Sequence, residues 1–214
     1  MANRRQQFGK LLNFFGPILG LLFVVGVFCA NSEVRPYFLT GANFKIILTQ
    51  TVIVAICGLG MTMIVVSAGI DLSVGSVVAL TGVLGATLAL KNVPPWLVVL
   101  LTVGAGGLIG LINGSIIAGF RMLPFIVTLG MMGVARGAAK WLAANQAVNY
   151  PESPLNKIMA LEAPDQLLPL PWGVWIAIAL AVTMAIVMRQ TVFGRYIFAV
   201  GSNETAARLS GIRV

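Results

Sequence analysis

Asp71 is the residue with the clearest capacity for chemistry, and it lies in the segment Ser67-Ala-Gly-Ile-Asp-Leu-Ser-Val-Gly-Ser76. Long apolar stretches lie on both sides of this segment, and Gly69 and Gly75 flank the acid. An ionisable group at membrane depth is functional by default, whereas an acid in a short turn is commonly an ordinary helix cap. The pattern therefore predicts either a broken helix beside a pathway or a tight turn, with Ser73 capping the next helix through its hydroxyl.

Two basic residues, Arg136 and Lys140, are spaced by four within another apolar stretch, so they share one helix face. They could line a water-filled route, pair with an acid or reach towards the interface. We expect Lys140 to extend to the outer interface and Arg136, which is deeper, to be buried against another helix. Pro124 marks the first turn of this stretch, where proline is well tolerated.

Most other site chemistry is excluded by composition. The sequence contains no histidine, which removes Ser-His-Asp catalysis and histidine-based metal sites. The two cysteines, Cys29 and Cys57, fall inside apolar segments and are expected to be small buried hydrophobes. The P-loop pattern for ATP is absent. We therefore predict no catalytic residue, no metal and no cofactor in this chain.

The elements that must position these residues are membrane helices. Of the 214 residues, 58% are hydrophobic and only 9% are charged, which cannot cover a water-facing surface. The net charge of +8 comes mostly from basic residues at the ends of apolar runs, so it predicts topology and not nucleic-acid binding. Six stretches have the roughly 20 apolar residues that a bilayer requires. They are Leu11–Ala30, Ile46–Val66, Val74–Leu90, Trp96–Phe120, Phe125–Ala144 and Trp172–Met188. The predicted fold is an all-α polytopic transmembrane helix bundle.

The charges at the ends of these stretches predict the orientation. Basic residues occur in residues 1–10 and again after Met188, whereas the loop 145–171 carries Glu152, Glu162 and Asp165. The positive-inside rule then places both termini in the cytoplasm and this loop outside. We expect a cytoplasmic N-terminus (1–10), a transmembrane domain (11–188) and a cytoplasmic tail (189–214).

Small residues recur every four positions within the predicted spans. Gly106, Gly110 and Gly114 form one row, and Gly133 and Gly137 form another. Such rows allow helix backbones to approach closely in lipid, so we expect them to pack helices together within the bundle.

The tail carries the signals of a short helix. Ser202 or Asn203 is a suitable N-cap, Glu204 favours the first turn, and Gly211 suits the position after the last turn. This predicts a helix over Glu204–Ser210, which is too short to be stable alone in water. Its alanines make it slim enough to enter a groove on a partner, although a solvated tail would have the same composition.

Three motifs occur in order and carry a resemblance. They are Gly69-Ile-Asp-Leu-Ser-Val-Gly75, Pro124-Phe-Ile-Val-Thr-Leu-Gly-Met132, and Gly194-Arg-Tyr-Ile-Phe-Ala-Val-Gly201 followed by Asn203-Glu-Thr-Ala-Ala-Arg-Leu-Ser-Gly-Ile212. The sequence resembles the permease subunits of bacterial ABC importers for ribose and other monosaccharides. The resemblance implies an inner-membrane, non-enzymatic protein in which two permease subunits form the pathway, a periplasmic sugar-binding protein delivers the sugar, and a cytoplasmic ATPase subunit supplies energy.

The resemblance also assigns residues. Those expected to couple the permease to the ATPase are Gly194, Arg195, Asn203, Glu204, Ala206, Ala207, Arg208 and Gly211. Those assigned to the pathway or signature region are Gly69, Asp71, Ser73, Gly75, Pro124 and Arg136. Members of this family continue beyond the position of Val214 with further membrane helices, so the chain resembles roughly the first two-thirds of a permease.

Three other functions fit parts of the pattern. A secondary transporter could use a broken helix and Asp71 for ion coupling, although no internal repeat is found between the two groups of three spans. A structural membrane protein would need no substrate. A branched-chain amino-acid permease would change the substrate and keep the mechanism.

Overall fold

The structure, a computed structural model, describes residues 2–161 and 169–214, with side chains described from Phe15 onwards. Every regular element in these ranges is helical, which confirms the predicted all-α fold. The helices are α1 (Ala2–Ala30), α2 (Arg35–Phe38), α3 (Gly41–Val66), α4 (Val74–Leu90), α5 (Pro95–Phe120), α6 (Pro124–Leu142), α7 (Trp172–Gln190), α8 (Val192–Ser202) and α9 (Glu204–Leu209), with a 3-10 helix at Pro154–Ile158. Two acidic residues of the predicted outer loop, Glu162 and Asp165, lie outside the described residues.

Each of the six apolar stretches corresponds to one long helix, and most boundaries agree within a few residues. The sequence prediction missed α2 and α8. Helix α8 has eleven residues and two internal glycines, which lowers its intrinsic helix propensity. It is therefore a helix that depends on packing, and packing is not visible in a local pattern.

Three described helices are both long and apolar enough to cross a membrane, namely α3, α5 and α7. The 26 residues of α3 or α5 span about 39 Å. The segment Phe15–Ala30 and helix α4 are apolar but shorter. Helix α6 has 19 residues and carries Arg136 and Lys140 in its second half.

The chain forms two compact units, residues 1–50 and residues 51–214. In the first unit, the Asn31 side chain accepts hydrogen bonds from the backbone N–H groups of Glu33 and Val34, which turns the chain between α1 and α2. The Phe28 and Phe38 rings then stack, with their centroids 5.1 Å apart. This stacking packs the short helix α2 against the end of α1.

In the second unit, α4 packs against both α6 and α5. The residues of α6 that are buried in this packing are mostly small, including Ala135 and Ala139, and α4 contributes Gly85 and Ala86. A Cβ atom added at Gly85 would lie 3.1 Å from Cγ2 of Thr102 on α5. Small residues therefore allow close approach at these crossings, as helix packing in lipid requires.

The predicted glycine rows contribute little to this packing. An added Cβ at Gly106 would lie 3.8 Å from Thr81, but at the other members of the rows it would meet no atom within 4 Å. Those members are Gly110, Gly114, Gly133 and Gly137. Among the described residues of this chain, the predicted close packing is therefore not found at these four glycines. On α6 the packed face carries alanines, which lie on a different face from Gly133 and Gly137.

The end of the second unit is a run of helices that pack consecutively. Helix α7 packs against α8, and α8 packs against α9. The chain turns sharply between α7 and α8 at Thr191, whose hydroxyl accepts a hydrogen bond from the backbone N–H of Gly194 at 3.2 Å. This capping bond begins α8 and fixes the direction in which it leaves α7.

Candidate functional site

The segment that carries Asp71 is a non-helical connection, Ser67–Ser73, between α3 and α4. Helix α3 ends in a Schellman motif, in which the Gly69 N–H donates to the Ile64 carbonyl at 2.8 Å and the Ala68 N–H donates to the Val65 carbonyl at 3.0 Å. The residue with left-handed backbone is Ala68, with φ 62°, and not a flanking glycine. Gly69 is nevertheless constrained, because an added Cβ would lie 3.1 Å from the Ile64 carbonyl oxygen.

The Asp71 carboxylate holds the start of α4. Its Oδ1 atom accepts hydrogen bonds from the Ser73 backbone N–H at 2.7 Å and from the Ser73 hydroxyl at 2.6 Å. Ser73 makes no side-chain cap to α4, so the predicted capping role of its hydroxyl is wrong. The reason is that the hydroxyl is committed to the carboxylate, and bonds of this charge-assisted kind are among the strong ones.

Helix α5 contributes Asn113 to the same cluster. Its Nδ2 atom donates to the Ser73 hydroxyl oxygen at 3.2 Å, and both side chains are buried. The sequence analysis did not assign Asn113 to a site, although a lone amide within an apolar span was a usable signal because such groups need partners in lipid.

Helix α6 holds the backbone on either side of Asp71 through one side chain. The Thr128 hydroxyl oxygen accepts a hydrogen bond from the Leu72 N–H at 3.2 Å and lies 3.2 Å from the Ile70 carbonyl oxygen. Pro124 begins α6, as predicted, and places Thr128 one turn into the helix. Thr128 was also missed as a site residue.

We call these residues the polar cluster. Its members are Asp71, Ser73, Asn113 and Thr128. Within the described part of the chain, Oδ1 of Asn113 and Oγ of Ser76 are buried without a hydrogen-bond partner. The described residues contain no group of three or more acidic, cysteine or histidine side chains that could hold a metal. The arrangement is suited to fixing the Asp71 segment between α5 and α6.

Two assigned pathway residues lie away from this cluster. Gly75 lies in the first turn of α4, and an added Cβ would meet no atom within 4 Å. Arg136 lies two turns beyond Thr128 on α6 and is exposed. The prediction that Arg136 is buried against another helix is therefore wrong for this chain, because its neighbour Ala135 occupies the packed face. Lys140 is exposed as well.

The tail forms the predicted helix as α9. The Asn203 side chain accepts a hydrogen bond from the Ala206 N–H at 2.9 Å, and Gly211 follows the helix with φ +82°. Both local predictions are confirmed. Glu204 and Arg208 form an exposed ion pair at 2.7 Å, worth a few tenths of a kcal/mol at this i,i+4 spacing.

The outward face of α9 differs from the one expected. Ala207 is only 5% exposed, so the prediction that it faces a partner is wrong, because this chain already covers it. At 100° per residue, the side opposite Ala207 presents Thr205 and Leu209. Leu209 is 86% exposed, and this apolar residue was not among the assigned coupling residues. Ala206 is exposed, as expected.

The two residues of α8 that were assigned to coupling differ in burial. Gly194 is buried, and an added Cβ would overlap the Met188 carbonyl at the end of α7. Arg195 is exposed. Gly194 therefore acts in the turn between α7 and α8, whereas Arg195 is accessible from outside the chain.

A family model described as the permease component of branched-chain amino acid transport systems matches residues 43–214. This range includes the Asp71 segment, the polar cluster and the whole tail. The chain belongs to this permease family. Its membrane-length helices and its family together make it a multi-pass protein of the inner membrane.

Curated relatives of this permease are named for sugar import. This chain is 34% identical over 208 residues to the ribose import permease protein of Haemophilus influenzae, and the matched region covers 97% of this chain and 64% of that protein. It is 35% identical over 197 residues to the ribose import permease protein of Escherichia coli K12, covering 92% of this chain and 60% of that protein. To the fructose import permease protein of Rhizobium meliloti it is 33% identical over 183 residues, covering 83% of this chain and 51% of that protein.

The permease thus spans less than two thirds of the length of these relatives. No solved structure matches it significantly.

Proposed function

We propose that this chain acts in a permease subunit of an ABC importer that carries a monosaccharide, ribose or a similar sugar, across the inner membrane. The names of the relatives in three organisms support sugar as the substrate class. The partners in this proposal are a cytoplasmic ATPase subunit, a periplasmic sugar-binding protein and a second permease subunit.

The observation that carries the proposal is helix α9. It has a cap at each end and packs against α8, yet it presents Leu209 almost fully exposed. A six-residue helix is not stable in isolation, and an exposed leucine at its outer face is suited to an apolar pocket. Packing against α8 accounts for the formation of α9, and a docking segment for a cytoplasmic motor accounts for its exposed Leu209.

The directions of the helices support a common side of the membrane for the Asp71 segment and the tail. Helices α4 and α6 begin at the polar cluster, α3 ends beside it, and Asn113 is seven residues before the end of α5, about 10 Å by helix rise. The tail contacts the same end of the second unit through Gly201 and Val66. In the proposal this end is cytoplasmic, both termini lie in the cytoplasm, and residues 189–214 form the coupling segment.

This position argues against ion coupling at Asp71. Secondary transporters place the coupling site near the bilayer midplane, between discontinuous helices. Asp71 instead lies beside the starts of α4 and α6, and its Oδ1 atom already accepts two hydrogen bonds from Ser73. The carboxylate is therefore engaged in holding the chain.

The test is transport in proteoliposomes that contain a complete permease including this chain, together with its ATPase and its binding protein. We expect uptake of radiolabelled ribose that requires ATP, with vesicles lacking ATP as the control. Uptake driven by an ion gradient without ATP would contradict the proposal. The family description also names branched-chain amino acids, so ATP-dependent uptake of leucine in place of ribose would move the substrate to that class.

A further inference from the structure

Helix α8 has one face on which two glycines leave the backbone uncovered by side chains. Gly194, Ile197 and Gly201 are spaced by three and four residues, so they lie on one side of the helix. Phe193, Tyr196 and Phe198 are all exposed. The large side chains therefore lie outside, and the two glycines mark the face that packs against the rest of the unit.

Gly201 brings this face into direct contact with the end of α3. A Cβ atom added at Gly201 would overlap the carbonyl oxygen of Val66 and would lie 3.1 Å from Cα of Ser67. All of these neighbours are backbone atoms, so no side chain can rotate away to make room. Only glycine allows the two segments to approach this closely.

The contacted residues lead directly into the Asp71 segment. Val66 is the last residue of α3 and Ser67 is the first of the connection Ser67–Ser73. The other end of this connection is fixed to α5 and α6 by the polar cluster. A displacement of α8 therefore acts on the α3 end of this segment, while its other end is held by the polar cluster.

The end of α8 that carries Gly201 also leads to α9. Asn203 ends α8 and caps α9 in one residue, so the two helices share a connection with no flexible linker. Helix α8 is eleven residues long, about 16 Å. The Gly201 contact therefore lies only two residues before Asn203, next to the proposed docking helix.

We propose that Gly201 is the positioning residue through which movement of α9 is transmitted to the Asp71 segment, by direct backbone contact between α8 and the end of α3. This inference rests on the proposed function, because it assumes that an ATPase moves α9. Packed backbones transmit small displacements because the interior does not yield. A contiguous physical contact of this kind is what coupling between two sites requires.

The test compares Gly201→Ala with the matched control Gly119→Ala in the reconstituted importer described above. Gly119 lies in α5, and an added Cβ there would meet no atom within 4 Å. For Gly201→Ala we expect ribose uptake to fall about tenfold, within the range of coupling effects. ATPase co-purification and ATP hydrolysis should persist. The control should retain uptake, and Gly201→Ala with uptake equal to the control would overturn the inference.

A second measurement uses the unmodified permease, so it does not depend on the folding of a variant. We expect binding of the ATPase with trapped ATP to change amide hydrogen exchange in residues 67–73 as well as in α9. A change confined to α9 would overturn the inference while leaving the proposed function intact. If the unmodified permease does not bind the ATPase at all, the proposed function is overturned instead.

Discussion

At the scale of single residues, the polar cluster shows why one carboxylate matters in an apolar chain. Ser73 is buried with two donors, its N–H and its hydroxyl, and both are directed at Oδ1 of Asp71. Without an acceptor, these donors would be left unsatisfied, because Ser73 is only 1% exposed. The free energy that Asp71 contributes is therefore mainly the avoided cost of unpaired donors.

The loss of stability on substituting Asp71 should depend on whether the new side chain still offers an acceptor to Ser73. Asp71→Ala removes the acceptor and should lower the free energy of unfolding by about 1–3 kcal/mol. Asp71→Asn keeps an acceptor oxygen and loses the charge, so its effect on stability and uptake should be smaller but clear. The control is Glu152→Gln, at an exposed position in the loop before α7. Thermal unfolding of a complete permease, measured beside uptake, checks the order. Equal behaviour of all three variants would reduce Asp71 to a replaceable turn residue.

At the scale of elements, the two faces of α9 have different roles, whereas the sequence analysis assigned the whole segment to coupling. One face, at Ala207, belongs to this chain, and the opposite face, at Leu209, is free for a partner. A substitution on each face should therefore affect a different property, namely folding for the inner face and docking for the outer face.

The matched pair is Leu209→Asp and Ala207→Trp. Leu209→Asp should reduce co-purification of the ATPase without lowering the membrane abundance of the permease, because the substituted side chain is outside the packed core. Ala207→Trp should lower abundance itself, since it overfills a buried position at a cost of about 1–3 kcal/mol. Quantitative immunoblots of membranes and of the purified complex measure both. Normal ATPase recovery with Leu209→Asp would show that α9 docks through another face.

At the scale of the whole molecule, the directions of the helices determine which loops share a side. Pro154 begins the 3-10 helix in the loop before α7, and that loop segment packs against the start of α7 through Met159 and Gly173. Ser202 ends α8, beyond the opposite end of α7. The two positions should therefore lie on opposite sides of the membrane.

Cysteine labelling tests this arrangement in a complete permease in which Cys29 and Cys57 are replaced by alanine. Pro154 is exposed in the predicted outer loop, so Pro154→Cys should react with a membrane-impermeant maleimide in intact cells. Ser202→Cys, also exposed, should react only after lysis. The reverse pattern would invert the topology that the positive-inside rule predicts.

The sequence by itself determined the features that depend on near neighbours. The long helices follow from continuous apolar runs. The Asn203 cap and the left-handed Gly211 follow from groups within four residues of each other. The existence of an irregular Asp71 segment was visible too, because glycines and an acid interrupt an apolar pattern. Family membership was indicated by three such local motifs in order.

The tertiary structure decided everything that joins distant parts of the chain. Asn113 meets Ser73 across 40 residues, and Thr128 meets Leu72 across 56. Gly201 meets Val66 across most of the second unit. In apolar helices the hydrophobic pattern extends around the whole circumference, so it does not specify which face is packed. Close packing of backbones and pairing of buried polar groups choose that face, and for this reason the partners of Asn113, Thr128 and Gly201 became recognisable only in the folded chain.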